Sequence, residues 1–300
     1  MLCFKLYQVH HITFISTPAV YALFHYPIIS ISHYHLTHHP WHIFLFSPNQ
    51  TESMCYHYSL TKKQEEIMRM IQAEWEAPFE PVFHSTGFNF PEMPVITSEK
   101  PGTVQLYQWG LIPHWVKSLS DADKIRTQTL NARGESIFEK PAFRSYTKNR
   151  CLVLADGFYE WMEHKKKKYP HYVHLNDSDI FGFAGLYAHW TDKETGEILH
   201  TFTIITTDAN PLMAKIHNSK QRMPVILPKE QWQNWLQPSL TKEQVESMLF
   251  PCDESTMKAY PISKLITTRG ADTNVPQIKE PFHYPELVSS EEGSLFDTIG

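Results

Sequence analysis

The chain has 300 residues, a formal net charge of −5, 42% hydrophobic residues and 20% charged residues. These values suit a globular protein with a sizeable core, and the mild acidity excludes a protein that coats nucleic acid by charge alone, although a local basic groove is still allowed. The four cysteines show no CxxC spacing, which excludes a zinc ribbon and a disulfide framework and predicts a reducing, cytoplasmic setting.

Residues 1–53 differ in composition from the rest of the chain. Lys5 and Glu52 are their only charged residues apart from histidines, of which they hold eight of the 18. Three interpretations meet obstacles: a signal peptide needs a stronger basic start, a membrane helix needs an uninterrupted apolar run, and a metal site at HYHLTHHPWH needs supporting carboxylates. The segment shows no helical or strand period. We therefore predict that residues 1–53 are an upstream extension or leader outside the fold and that the protein proper starts at Met54.

From Met54 onward, the apolar pattern predicts strands with interspersed helices. A helix is expected within 61–75, where Ser59 or Thr61 is placed to cap it. The mixed stretch 124–138 is predicted to end in a helix, and the lysine run at 165–168 to form a solvated hairpin tip. The other predicted strands and helices are the strands at 104–112, 150–164, 180–190, 200–210 and 259–267, a strand then a helix at 223–236, and helices at 211–216 and 241–250. The mix indicates an α+β fold with a largely antiparallel sheet.

The last residues, 288–300, are acidic and rich in small residues, which is typical of a disordered tail. Within it, EGSLF (292–296) is distantly similar to the Q-x-x-L-F peptides that dock on bacterial sliding clamps, although the glutamine is missing. Clamp docking through this tail is therefore a hypothesis, which a pull-down with residues 288–300 deleted would test.

Four local motifs carry candidate chemistry: MCYHYSL (54–60), LNARGES (130–136), ADGFYEW (155–161) and IHNSKQRMPVIL (216–227). With PEMPVI (91–96) and WGLIP (109–113), they resemble, in this order, the SOS response-associated peptidase family, the abasic-site-processing proteins. No single motif is decisive, but six in order over one domain are specific. The resemblance covers Met54 to about Leu287 and implies one domain over 54–287 with a barrel-like β core and peripheral helices.

In that family the initiator methionine is removed and the cysteine becomes the first residue. An N-terminal cysteine offers an α-amine with a pKa near ~7.7–8.0, much of which is neutral at pH 7, beside a thiol. The amine condenses with an aldehyde to a Schiff base, and the thiol then closes a thiazolidine ring. An internal cysteine has only an amide nitrogen and cannot do this. The resemblance therefore implies that Cys55, once N-terminal, crosslinks to the ring-opened sugar of an abasic site in single-stranded DNA.

The resemblance also implies roles for other residues. Asn131 is expected to orient the amine, Glu160 to shuttle protons with a pKa raised by its apolar neighbours, and His217 to act as an acid or base. The implied DNA-binding set is Arg133 and Arg222 on phosphates, Trp161 as a stacking platform, and Pro94 of PEMPVI. One departure is that His217 precedes Arg222 by five residues, where the family has the histidine two residues before RMP, and an insertion of NSKQ would explain this.

Taken singly, each of these residues also has a purely structural interpretation. Glu160 would then be a surface carboxylate, His217 a cap of the short helix before it, Asn131 a turn residue, Arg133 an ion-pair partner of Glu135, and Trp161 and Cys55 core residues. Two other functions also compete with the crosslinker.

One competing function is a cysteine-type peptidase built from Cys55, His217 and Glu160, whose activity could be limited to the release of its own leader. The other is a non-covalent reader of modified or single-stranded DNA. The resemblance implies no metal and no organic cofactor. We expect a cytoplasmic monomer with no membrane partner, associated with the nucleoid when it is bound to damaged DNA.

Overall fold

The structure is a computed structural model that describes residues 55–288. Its strands are β1 His57–Leu60, β2 Glu74–Trp75, β3 Val82–Thr86, β4 Glu92–Thr97, β5 Thr103–Trp109, β6 Asn131–Arg133, β7 Arg150–Ala155, β8 Gly157–His164, β9 Lys167–Leu175, β10 Phe181–Thr191, β11 Ile198–Asp208, β12 Arg222–Pro224, β13 Ile226–Leu227 and β14 Met257–Pro261. Its helices are α1 Gln64–Ile71, α2 Leu119–Arg126, α3 Pro211–Ile216, α4 Trp232–Trp235, α5 Lys242–Glu246 and α6 Pro285–Val288. The predictions for residues 1–53 and for the acidic tail, with its segment 292–296, lie outside the described residues.

Five strands close into a barrel. Antiparallel pairings join β5 to β4, β4 to β7, β7 to β10 and β10 to β11. A parallel pairing of β11 with β5, at Thr201–Gln108 and Phe202–Trp109, completes the ring. The predicted barrel-like and largely antiparallel β core is confirmed. Because the ring is closed, each of these five strands has a hydrogen-bonded neighbour on both sides.

A second, five-stranded sheet has the order β14-β9-β8-β1-β3, and all of its pairings are antiparallel. Barrel side chains alternate between two clusters because successive residues of a strand face opposite sides. Leu152 packs in the cluster with Trp232 and Trp235 of α4, whereas Val153 packs in the cluster with Tyr58 of the second sheet. The core between the barrel and the second sheet therefore contains side chains from β1 and β8.

The predicted cap of the first helix is wrong. Lys63 occupies the N-cap position of α1 and makes no side-chain capping bond. Ser59 Oγ instead donates to Asp156 Oδ1 at 2.5 Å, and the Thr61 N–H donates to Asp156 Oδ2 at 2.8 Å. A buried carboxylate at the β7–β8 turn needs these donors more than an exposed helix end does, since an unpaired buried charge is costly.

The helix predicted at the end of 124–138 is also absent. The helix α2 ends at Arg126, and β6 follows at Asn131–Arg133, before a single 3₁₀ turn at Gly134–Ser136. β6 pairs in parallel with β11, with Asn131 opposite Ile204. Tertiary strand pairing therefore overrides the local preference, which is common for short segments.

The lysine hairpin tip is confirmed. Lys165 and Lys166 connect β8 to β9 and have φ values of 48° and 61°. Two consecutive left-handed residues make the tight turn that matches the twist of an antiparallel hairpin. Within 55–288, no helix is long and apolar enough to cross a membrane.

Candidate active site

The four catalytic candidates come together in the core between the two sheets. Cys55 precedes β1, Asn131 opens β6, Glu160 lies in the middle of β8, and His217 directly follows α3. Their side chains are buried, with residue exposures of 2%, 4%, 2% and 1% in that order. It is uncommon for one core to bury four different polar side chains from four separate segments, because each polar group loses its hydration.

The amide of Asn131 holds the residue that carries the thiol. Asn131 Nδ2 donates to the backbone carbonyl of Cys55 at 3.0 Å. Asn131 Oδ1 is buried and has no hydrogen-bond partner among the described residues. The same side chain therefore fixes residue 55 with its donor and keeps an acceptor available beside it.

The thiol of Cys55 is protonated at neutral pH. Burial raises its pKa well above the usual value, and the nearby charge of Glu160 raises it further. Cys55 Sγ donates a weak hydrogen bond to the carbonyl of His57 at 3.9 Å. A buried thiol of this kind is a poor nucleophile until a neighbouring group accepts its proton.

Glu160 is a buried carboxyl group with a raised pKa. Burial raises its pKa to about 8, against the smaller opposing effects of the Trp161 N–H and the charge of Lys168. This agrees with the direction expected from its aromatic neighbours. Its Oε1 atom has no hydrogen-bond partner in the described part of the chain. At pH 7 the carboxyl group is therefore mostly protonated and can donate.

The orientation of His217 is set by a backbone carbonyl. His217 Nδ1 lies 2.8 Å from the carbonyl oxygen of Arg222 and 3.9 Å from Glu160 Oε1. Because a carbonyl only accepts, Nδ1 carries the proton, and in the neutral ring Nε2 is the acceptor. The distance to Glu160 is too long for a hydrogen bond.

The five-residue spacing between His217 and Arg222 is accommodated by a docked loop. Asn218 Oδ1 accepts from the N–H of Glu163 at 3.0 Å, and Asn218 Nδ2 donates to the Glu163 carbonyl at 2.8 Å. Gln221 turns the chain back with a φ of 51°. The extra residues thus pair with β8 and return Arg222 to the histidine.

The residues expected to contact DNA lie in different environments. Arg133 is exposed at the end of β6, two residues from Asn131. Arg222 is buried and donates to Glu135, Asp208 and the Thr206 carbonyl.

Trp161 is half-buried and packs edge-on against His57 at 4.8 Å between ring centroids. It follows Glu160 in β8 and therefore faces the opposite side of that strand. The structure brings it to the segment after Cys55 but not to the carboxylate.

Pro94 is not brought to the site. It is buried in β4 opposite Leu106. Its neighbour Met93 packs in the cluster that contains Cys55, so Pro94 faces the other side of the strand. Pro91 of the same motif is half-buried and lines a small cavity with His84 and Thr273.

A pair of histidines near Cys55 was not predicted from the sequence. His57 Nδ1 lies 2.9 Å from His84 Nε2, and His84 Nδ1 lies 2.8 Å from Thr273 Oγ1. Burial lowers the pKa of His57 to about 3 and that of His84 to about 4. The position of His57 within MCYHYSL was the only signal, since His84 reaches it through the pairing of β1 with β3. Within 55–288, no three His, Cys, Asp or Glu side chains are arranged to hold a metal ion.

Comparison with known proteins places this arrangement in a family. A family model described as SOS response associated peptidase (SRAP) matches residues 54–269. Abasic site processing protein YoqW of Bacillus subtilis (strain 168) is 36% identical over 233 residues, which cover 76% of this chain and 99% of that protein. Abasic site processing protein HMCES of Xenopus tropicalis is 29% identical over 187 residues, 55% of this chain and 54% of that protein.

A solved structure has a similar fold and sequence. A crystal structure of a protein from Bacteroides thetaiotaomicron matches with a TM-score of 0.72 and 40% identity, over 76% of this chain and 100% of that one. The family match spans well over half of the chain and includes all four residues of the buried site. The chain therefore belongs to the SOS response-associated peptidase family.

Proposed function

We propose that this protein processes abasic sites in single-stranded DNA by forming a covalent thiazolidine crosslink through Cys55, after residues 1–54 have been removed. Three findings support the proposal. The chain belongs to the family, its curated relatives are named abasic site processing proteins, and the family match begins at residue 54, directly before Cys55. The crosslink would shield the lesion.

The observation that carries the proposal is the contact between Asn131 and Cys55. The amide donor of Asn131 fixes the Cys55 carbonyl at 3.0 Å, while its oxygen is a buried acceptor without a hydrogen-bond partner among residues 55–288. A free α-amine on residue 55 is a donor attached to the same Cα as the clamped carbonyl. A neutral amide orients such an amine without the rise in pKa that a carboxylate would cause.

The crosslink forms from the amine, the thiol and the aldehyde alone, without a cofactor. The amine nitrogen bonds to the aldehyde carbon of the opened sugar, and the resulting hydroxyl leaves as water to give an imine. The thiol sulfur then bonds to the imine carbon, and the thiol proton passes to the nitrogen. The net change is one C–N and one C–S bond formed and one water released.

Glu160 is suited to move the protons of these steps. Its pKa of about 8 keeps it mostly protonated at neutral pH, so it can protonate the ring oxygen or the departing hydroxyl. The carboxylate left behind can then accept the proton of the thiol, whose pKa burial has raised. His217, held by the Arg222 carbonyl, offers its Nε2 as a further acceptor.

The raised pKa of the thiol favours this proposal over a peptidase that acts in trans. A cysteine peptidase needs a thiolate at neutral pH, which a lowered thiol pKa supplies. Here burial and the charge of Glu160 act in the opposite direction. Turnover of peptide substrates by the isolated protein would favour the peptidase.

Intact-mass spectrometry tests the proposal directly. The native protein is weighed before and after mixing with single-stranded DNA that carries one abasic site. We expect a mass that begins at Cys55 and increases by one DNA strand less one water. If no adduct forms with a protein that starts at Cys55, the crosslinking function is wrong. A chain expressed from Met54 serves as the matched sample if the native mass begins at Met1.

A further inference from the structure

The loop between α3 and β12 is closed on itself by hydrogen bonds. The carbonyl oxygen of His217 accepts from the N–H of Gln221 at 2.7 Å and from the N–H of Lys220 at 3.3 Å. His217 Nδ1 lies 2.8 Å from the carbonyl oxygen of Arg222, which follows the left-handed Gln221. Because these bonds join the two ends of the loop, residues 217–222 form a compact unit that carries the imidazole.

The side chain of Asn218 attaches this unit to β8. Asn218 Oδ1 accepts from the N–H of Glu163 at 3.0 Å, and Asn218 Nδ2 donates to the Glu163 carbonyl at 2.8 Å. β1 pairs with β8 at Gly157 and Phe158, which leaves the edge of β8 at Glu163 open to another partner. The amide, which has both a donor and an acceptor, therefore binds β8 as a peptide unit of a neighbouring strand would.

This attachment joins the segments that carry two of the catalytic candidates. Asn218 directly follows His217, and Glu163 lies three residues after Glu160 in the same strand. The two bonds of the amide therefore help to set the separation between the imidazole and the carboxyl group. His217 Nδ1 and Glu160 Oε1 are held 3.9 Å apart, which is too long for a hydrogen bond.

Other ionisable groups near Glu160 include Cys55, His171 and Lys168. The Cys55 thiol is protonated at neutral pH because burial raises its pKa. His171 lies opposite Glu160 on β9, and burial lowers its pKa to about 4, so it is neutral. The charge of Lys168 opposes the effect of burial but leaves the pKa of Glu160 at about 8. These groups lie outside the loop, so the loop acts on Glu160 through His217.

We propose that Asn218 is a positioning residue, whose amide docks the histidine loop on β8 and keeps the imidazole out of hydrogen-bonding reach of Glu160. Without the amide, the loop is free to move toward Glu160 or away from it. An Nδ1–H group that reached the carboxylate would stabilise its ionised form, and a loop that moved away would let water hydrate that form. Both movements lower the pKa of Glu160. The inference rests on the proposed function for the part that Glu160 plays in crosslinking.

The test is the pH dependence of adduct formation by Asn218→Ala, in single-turnover assays at saturating abasic DNA. The native chain is used, or the chain expressed from Met54 if the native mass begins at Met1. We expect the falling limb of the profile to move down by about one pH unit, the lower end of the shifts that a neighbouring group causes. The variant should then be slower by up to about tenfold at pH 8.5, since one unit of pKa is a tenfold change in equilibrium. At pH 6.5 its rate should stay close to that of the wild type, because Glu160 is still mostly protonated there.

Asn176→Ala is the matched control. It removes an amide of the same kind, whose Nδ2 donates to the Ser255 carbonyl at 2.7 Å, and it should keep the wild-type profile. A wild-type profile for Asn218→Ala would overturn the inference. An equal loss of rate at pH 6.5 and pH 8.5 would overturn it too, because that result indicates general damage to the site. The same shift in both variants would have the same meaning.

Urea unfolding separates this inference from the proposed function. Because the pKa of Glu160 is raised to about 8 in the folded protein, the free energy of unfolding falls between about pH 4.5 and pH 8. A lower pKa in Asn218→Ala makes the difference between pH 5 and pH 8.5 smaller than in the wild type and in Asn176→Ala, whether or not an adduct forms. An unchanged difference overturns the role of Asn218. The absence of an adduct with a wild-type protein that starts at Cys55 overturns the crosslinking, so the two failures are distinguishable.

Discussion

Glu160 Oε1 and His217 Nδ1 lie 3.9 Å apart in the core, yet they do not share a proton. Both side chains are 2% exposed, and the histidine donates its Nδ1 proton to the Arg222 carbonyl instead. Burial keeps the carboxyl group protonated, and the imidazole N–H, which points at the Arg222 carbonyl, does not favour the ionised form by donating to Glu160. Glu160 and His217 are therefore two separately held groups in the core that contains Cys55.

Glu160→Gln should slow adduct formation with abasic DNA by about 10²–10⁴-fold, the usual contribution of a positioned acid or base. The wild-type rate should follow a bell-shaped pH profile. It rises as the Cys55 amine loses its proton and falls above about pH 8, where Glu160 loses its own. Single-turnover gel assays from pH 6 to 9.5 measure both limbs. If Glu160→Gln kept the falling limb of the pH profile, a group other than Glu160 would be responsible for that limb.

The same substitution should change the pH dependence of stability. The Glu160 pKa is raised from 4.5 to about 8 in the folded protein. Between these values the unfolded chain binds fewer protons than the folded one, so the free energy of unfolding falls as pH rises from about 4.5 to about 8. Glu160→Gln removes this loss. Urea unfolding at pH 5 and pH 8.5 should show a smaller difference for the variant, and an equal difference would contradict the assignment.

Asn131→Ala should reduce the rate of adduct formation by roughly 5- to 100-fold, because a buried hydrogen bond to the Cys55 carbonyl is lost. Asn131→Asp should be slow at pH 7 and recover at higher pH, since a carboxylate raises the pKa of the amine it contacts. Rates are read from gel-shifted covalent product. Equal non-covalent DNA binding by both variants is the control. If both variants formed the adduct at the wild-type rate, Asn131 would have no role in the chemistry.

Cys55→Ser should bind single-stranded DNA as the wild type does but form no stable crosslink, because a hydroxyl is a weaker nucleophile than a thiol and could close only an oxazolidine ring, not a thiazolidine. Its amine should still form an imine that borohydride traps. Cys252→Ser, at a half-buried cysteine elsewhere, is the matched control and should crosslink normally. A protein whose protective function survived Cys55→Ala would be a non-covalent reader.

Asp156→Ala should destabilise the fold by about 3–5 kcal/mol, the cost of breaking a buried charged network. Its carboxylate accepts from Ser59, Thr61 and Tyr172 and lies 3.6 Å from Lys279 Nζ. The midpoint of urea unfolding measures the change. Asp179→Ala, an exposed aspartate, should shift stability by less than about 0.5 kcal/mol. A similar shift for both variants would show that the network adds nothing.

The sequence by itself determined the family and the four catalytic candidates, together with the strand that carries Glu160 and the helix that precedes His217. The motifs are short and local, so their residues can be recognised without the fold. The lysine hairpin tip and the strand at 104–112 also depend only on neighbours along the chain, through turn chemistry and the two-residue period of a strand.

Tertiary structure alone decided which distant segments meet. The ring closes because β11 pairs in parallel with β5, and β6 becomes a strand because β11 is beside it. Ser59 and Thr61 turn from the helix to the buried Asp156, and Asp208 covers Arg222 across paired strands. Each outcome depends on burial and on hydrogen-bond partners far away in sequence, which local patterns do not contain.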